Sequence, residues 1–288
     1  MFENPFGVPR DEILRMVATN PPEVVAQTVF GKYVESSGLV FTGELIQNMI
    51  DHRIKVPGEA YLDRERLQAS RAEQEFYRDS WVNPFHTGVD FGRQTDFTVI
   101  HTLDCSVLPA KTVYWKRLNR VPWETIYQEV GRARHYFGPN ILVDASGPAG
   151  DVIVDALMGR NYCPLHHRTP LVGGRCMRDG EVLGCEGGSY LPLSCVDGYY
   201  FSSGQGQAKK ELVEHLRNCL AVGYDPDAAE PWGWIRTPNI PQLEEELTFY
   251  TWDDKRLMTD CIFALALAAW SGLEDIVQDA LVGNAYGE

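Results

Sequence analysis

Ten consecutive residues, Cys261 to Trp270, carry no charged or hydroxyl side chain and follow directly on an aspartate, in the run MTDCIFALALAAW. Alanine and leucine favour helix, and a helix that is apolar all round must be buried on every side. The run is about half the ~20 residues that a membrane crossing requires, so its burial has to come from the protein itself. A helix over Leu257 to Trp270 therefore demands a broad apolar surface to lie on. The 288 residues, 44% of them apolar, can build one substantial core, or one core and a smaller module. The opening MFENPFGVPRDE has no basic stretch followed by an apolar one, which predicts no secretory signal and a cytosolic protein.

Short β-like runs alternating with helical ones supply the surface. His86 to Phe91, Thr98 to Leu103 and Lys111 to Leu118 are rich in Val, Ile, Thr, Tyr and Trp and are separated by turn-forming residues, the pattern of a three-strand antiparallel meander. Pro122 opens a helix expected to run to Phe137 and to stop at Gly138-Pro139. Asn140 to Ala145 reads as a buried strand, Ala149 to Met158 as a helix, Pro164 to Val172 as strand-like, and Gln207 to Ala221 as a helix. This is an α/β order with a mixed sheet. Asp11 to Ala18 and Glu23 to Tyr33 are expected helices. Residues 59–80 are polar enough for an exposed helix or linker, and Asn83-Pro84 predicts a domain boundary near residues 82–86.

Seven cysteines, an odd number, suit reduced thiols. Cys163, His166, His167, Cys176, Cys185 and Cys195 lie close in sequence, but their spacing forms no compact CxxC pair and thiols are the expected state. The net charge of −14 argues at first against phosphate binding. That charge is uneven: residues 1–83 hold 9 basic and 13 acidic side chains, 84–222 hold 14 and 14, and 223–288 hold 3 and 13. The neutral middle, with Lys111, Lys116, Arg117, Arg120, Lys209 and Lys210 among its cations, leaves room for a phosphate track.

Three acids border the expected core. Asp90 ends the first strand in GVDFGRQTDFTVI, Asp144 ends the fourth in ILVDASGPAG, and Asp260 opens the apolar helix. A carboxylate near a core is costly unless paired or bound to a cation, so two strand-end acids and one helix-start acid point to a shared site at the sheet edge. Such oxygen ligands suit Mg²⁺ or Mn²⁺, and two ions can drive hydrolysis of a phosphodiester. Asp96 is expected to order the turn after the first strand, or to touch a metal through water. His86 and His101 read as packed residues.

These motifs resemble those of the nuclease domain of the tailed-bacteriophage terminase large subunit. The first strand matches the family's G-x-D-x-G…D-x-T-x-I pattern at Gly88, Asp90, Gly92, Asp96, Thr98 and Ile100; the second matches at Asp144, Gly147 and Gly150; the third at Asp260 and FALALAAW. The likeness covers roughly residues 84–271. It implies an RNase H-like mixed sheet flanked by helices, a metal-dependent endonuclease that cuts concatemeric viral DNA during genome packaging, and two Mg²⁺ or Mn²⁺ ions held by Asp90, Asp144 and Asp260. Lys210, and less securely Lys209, would contact the DNA backbone. Residues 24–46 resemble the close of the family's ATPase domain, so residues 1–83 would be the end of that domain plus a linker and residues 84–288 the nuclease. Implied partners are double-stranded DNA, a small terminase subunit, the portal protein and an ATPase motor domain, in the cytoplasm of an infected bacterium, with no membrane. Many relatives carry two adjacent acids where this chain has Thr259-Asp260, which leaves Thr259 with at most an outer role at the metal. The Gly- and Cys-rich stretch 173–200 has no place in the pattern.

No G-x-x-x-x-G-K-[ST] loop occurs, so the sequence is not expected to be a complete packaging motor but a cut-down form or one part of a split gene. Two other classes compete. GVDFGRQTDFT also reads as the phosphate loop of an actin or sugar-kinase type ATPase, although no second such loop follows. A non-catalytic docking domain of a packaging motor is the third.

Overall fold

The computed structural model describes residues 38–56, 58–69, 83–92, 97–146, 153–154, 157, 171–172, 175–178, 181–182, 196–201, 207–221, 233–253 and 257–285. The expected helices before residue 34, Asp96 and most of the Cys- and His-bearing stretch lie outside these residues. The strands are β1 (Ile50–Lys55), β2 (Ala60–Leu62), β3 (Phe85–Asp90), β4 (Thr98–Asp104), β5 (Ala110–Leu118), β6 (Asn140–Asp144), β7 (Leu171–Val172), β8 (Arg175–Arg178), β9 (Glu181–Val182), β10 (Val196–Tyr199) and β11 (Ile235–Asn239). The helices are α1 (Gly43–Met49), α2 (Trp123–Phe137), α3 (Gln207–Ala221), α4 (Pro241–Phe249) and α5 (Asp260–Ala285). Residues 153, 154 and 157 are also helical. None of the described helices is long and apolar enough to cross a membrane.

Eight strands form one sheet in the order β1-β11-β5-β4-β3-β6-β10, with β2 also on β5; β7, β8 and β9 form a small separate sheet. The expected meander is present: β3 pairs β4 and β4 pairs β5, both antiparallel. Around it the pairings turn parallel, β6 on β3, β10 on β6, β11 on β5 and β1 on β11. This is a mixed sheet with helices on both faces, as the order of elements in the sequence implies.

β4 is buried along its whole length because both sheet faces are covered. On one face Val89, Ile100, Val113, Ile141 and Val143 pack against Val130, Ala133 and Phe137 of α2 and against Ile153 and Leu157. On the other, Val99, Leu103 and Trp115 pack under α1, α3, α4 and α5. Every residue from Cys261 to Ala269 is at most 4% exposed, as an all-apolar helix requires. Each buried leucine there contributes roughly 2 kcal/mol by its removal from water.

The sequence reading missed several elements. Residues 60–62, expected in a helix or linker, form an edge strand that pairs with Lys116 to Tyr114, and only residues 64–69 are helical among those described between 59 and 80. β1 precedes the expected boundary at residues 82–86, yet it joins the same sheet through β11. The reason is that pairing partners far along the chain leave no local periodicity: β1 exposes four of its six residues, and β11 contains a proline.

What seats α5 is Gly88. A Cβ added there would run into the Ala264 carbonyl oxygen, the Ala268 nitrogen and the Leu267 side chain. Glycine is therefore the residue that lets helix and strand backbones touch. Gly88→Ala is predicted to lower stability by at least about 2 kcal/mol through overpacking. Thermal unfolding tests this directly, and a variant as stable as the parent would mean that the helix is not seated where described.

Candidate metal centre

β-strand parity places the acids. Val89 and Val143 face α2, so their neighbours Asp90 and Asp144 face the α5 side, as does Gly88. β3 and β6 run parallel with Val89 opposite Val143, which makes Asp90 and Asp144 the C-terminal ends of neighbouring strands, their backbones about 5 Å apart. In open α/β sheets the carboxyl ends of such strands are where ligands bind.

The helix brings the third acid. His86 Nδ1 lies 2.8 Å from Ser271 Oγ, and Gly88 lies against Ala264 and Ala268, so α5 runs antiparallel to β3 and its first residue arrives beside the strand's last. Asp260 is 8% exposed, and its Oδ2 accepts a 3.3 Å hydrogen bond from the Phe97 N–H, which ties it to the β3–β4 connection. That connection is drawn tight by Thr98, whose Oγ1 donates to Gly92 O at 2.7 Å and accepts from Gly92 N at 3.2 Å.

The acids feel one another. Burial, then the charges of Asp144, Asp260 and Glu246, push the Asp90 carboxyl well above its ordinary range. Burial also raises Asp144, against the pull of Ser146, whose N–H donates to Asp144 Oδ1 at 2.7 Å, and of the Lys209 ammonium. The interaction is one of charge: among the described residues no three His, Cys, Asp or Glu side chains stand together in an arrangement that could hold a metal as they are. The donor set nevertheless fits a hard divalent cation, since it is all carboxylate oxygen and its members repel until positive charge is added.

Two further residues emerge. Glu246, absent from the sequence reading, belongs to α4, and burial raises it to about 7. Ionising it inside the fold thus costs on the order of 3 kcal/mol. Its signal was the i, i+3, i+4 pattern of Leu243, Glu246 and Leu247, which sets a glutamate on the buried face of a short helix that begins at Pro241. Arg117 stacks its guanidinium 3.3 Å over the Phe97 ring, next to the residue that holds Asp260.

Of the two lysines, Lys209 is the nearer: its charge reaches Asp144 and its Nζ lies 4.8 Å from the Phe263 ring centre. Lys210 Nζ sits 3.5 Å from Glu214 and 5.9 Å from the Trp252 ring centre, on the exposed side. Thr259 acts through its backbone, its carbonyl accepting the Phe263 N–H at 3.0 Å. His86 and His101 are packed: burial lowers them to about 4 and about 3, and His101 Nε2 pairs with Thr112 Oγ1 at 2.7 Å. Cys105, Cys219 and Cys261 are free thiols, and Cys176 stands in β8.

Because the folded pKa of Asp90 is raised above the ordinary 3.8, the folded state holds more protons than the unfolded one, and this residue's contribution to stability falls as pH climbs past about 4. With divalent ions chelated, Asp90→Asn is predicted to be more stable than the parent at pH 8, by about 1–3 kcal/mol, with the advantage shrinking toward pH 4. Thermal unfolding at several pH values in chelator measures the difference; a gap that does not change with pH would remove the buried-charge account.

Neither a family model nor a curated protein matches this sequence. Among solved structures the chain is similar to the large terminase nuclease of thermophilic phage G20c with bound magnesium, at 15% identity over 81% of this chain and 97% of that one, with a TM-score of 0.49. It is similar to the same nuclease with bound zinc at 15% identity, 78% and 95% coverage and a TM-score of 0.48, and to the Thermus phage P74-26 large terminase nuclease domain at 15% identity, 80% and 94% coverage and a TM-score of 0.49.

Proposed function

We propose that this protein is a divalent-metal-dependent endodeoxyribonuclease that cuts concatemeric viral DNA during genome packaging. What supports the reading is that two neighbouring strand ends and a helix start bring Asp90, Asp144 and Asp260 within range of one another's charge at the carboxyl edge of the sheet. It is supported by the motif order in the sequence, which puts these acids in the contexts of the terminase nuclease family.

Asp90, Asp144 and Asp260 would hold two Mg²⁺ or Mn²⁺ ions. Such ions, when bound, supply an activated water and stabilise the leaving oxygen of an in-line displacement. The protein's own part is placement. Ser146 and Phe97 orient Asp144 and Asp260 by backbone N–H groups. Lys209 sets a positive charge beside Asp144, where a backbone phosphate would approach, and Lys210 stands one residue further out. The nuclease unit would be residues 84–288, completed by β1 and β2 from the preceding segment, and its partners would be double-stranded DNA, a small terminase subunit, the portal and an ATPase motor in the cytoplasm of the infected host.

The phosphotransferase alternative needs free amides in the loop after Asp90 to cradle phosphate. Gly92 N–H is already engaged by Thr98 Oγ1, which argues against it.

Purified protein is expected to nick or linearise plasmid DNA with Mg²⁺ or Mn²⁺, and not in chelator. Asp90→Ala, Asp144→Ala and Asp260→Ala should each remove detectable cutting while the fold persists. A triple variant that cuts as well as the parent overturns the assignment.

A further inference from the structure

Glu246 does two things with its two oxygens. Oε2 accepts hydrogen bonds from the N–H groups of Cys261 at 2.8 Å and Ile262 at 3.2 Å, the two amides immediately after Asp260. The first amides of a helix lack partners inside it and attract negative charge, so this carboxylate, reaching across from α4, fixes the first turn of α5. Oε1 is buried with no N–H or O–H donor on it; only the Cys261 thiol, a weak donor, approaches the carboxyl group. The residue as a whole is 7% exposed.

Capping alone does not call for this arrangement. A serine or asparagine at the helix's own start would satisfy the same amides without burying a charge. Instead a carboxylate has been placed where its charge acts on Asp90 and feels that of Asp260, with one oxygen sealed from water and left over. The first turn of α5 supplies no second acid of its own, because position 259 is threonine. Two divalent ions would bring four positive charges, and Asp90, Asp144, Asp260 and Glu246 together bring four negative ones, so the four acids would balance the two ions.

We propose that Glu246 is the fourth oxygen donor of the centre, Oε2 holding the start of α5 and with it the direction of Asp260, and Oε1 serving the divalent cation directly or through one water. The inference rests on the reading that Asp90, Asp144 and Asp260 hold such ions.

The test is calorimetric titration of chelator-stripped protein with Mn²⁺ and with Mg²⁺. Glu246→Gln keeps an amide oxygen for the two backbone N–H groups and removes the charge. It is expected to remain folded by circular dichroism and to bind Mn²⁺ at least about tenfold more weakly than the parent. A folded Gln variant that binds within twofold of the parent overturns this inference and leaves the three-aspartate site standing. A parent that binds neither ion overturns both. Should the Gln variant not fold, the parent answers: in ¹³C spectra, substoichiometric Mn²⁺ is expected to broaden the Glu246 carboxyl resonance together with that of Asp90, and an unbroadened Glu246 signal overturns the proposal.

Discussion

The contact on which the rest depends is the one between a strand and a helix with nothing between them. Gly88 gives α5 its seat, with Ala264 and Ala268 as the helix's side of the contact. Once that crossing is fixed, the antiparallel run of helix against strand delivers Asp260 to Asp90, and the parallel register of β6 delivers Asp144. The site is therefore not an addition to the core. It is the end of the core, where two strands and a helix finish together.

That placement sets folding against chemistry. Interior leucines and alanines favour drawing the helix down; the acids at its mouth resist, because burial and mutual repulsion both oppose their ionisation. The apolar body of α5 is large enough to impose the arrangement, and its opening residues carry the strain. Acids held in this way lower stability for as long as no positive charge offsets them.

How much of this could be read from the sequence depended on whether the information was local. The all-apolar run over Cys261 to Trp270, the β-branched and aromatic runs of β3, β4 and β5, and the Pro122 to Gly138 punctuation of α2 are each local signals, and each marks an element that is found, although the helix expected over Leu257 to Trp270 begins at Asp260 and runs on to Ala285. The placement of Asp90, Asp144 and Asp260 at two strand ends and a helix start was legible because each sits at the edge of such a stretch. β10 and β11 were not: Val196–Tyr199 is four residues with a glycine inside, Ile235–Asn239 contains a proline, and both owe their conformation to parallel partners far away in sequence. Glu246 stands in the triplet Glu244-Glu245-Glu246, and the one sign of its burial is that it shares a helix face with Leu243 and Leu247. The surroundings of the two lysines likewise turn on which side of α3 meets α5, a matter of tertiary placement.

β1 and β2 precede the boundary expected near residues 82–86, and they close the far side of the later sheet: β1 lies along β11, and β2 along the second half of β5. A protein trimmed at the apparent junction near residue 84 would keep every acid of the centre but lose both coverings. β11 and β5 would then present bare backbone N–H and C=O groups along an open margin, the kind of margin that recruits a neighbouring chain. Self-association of such a trimmed form would thus report on the missing strands, not on a natural oligomer.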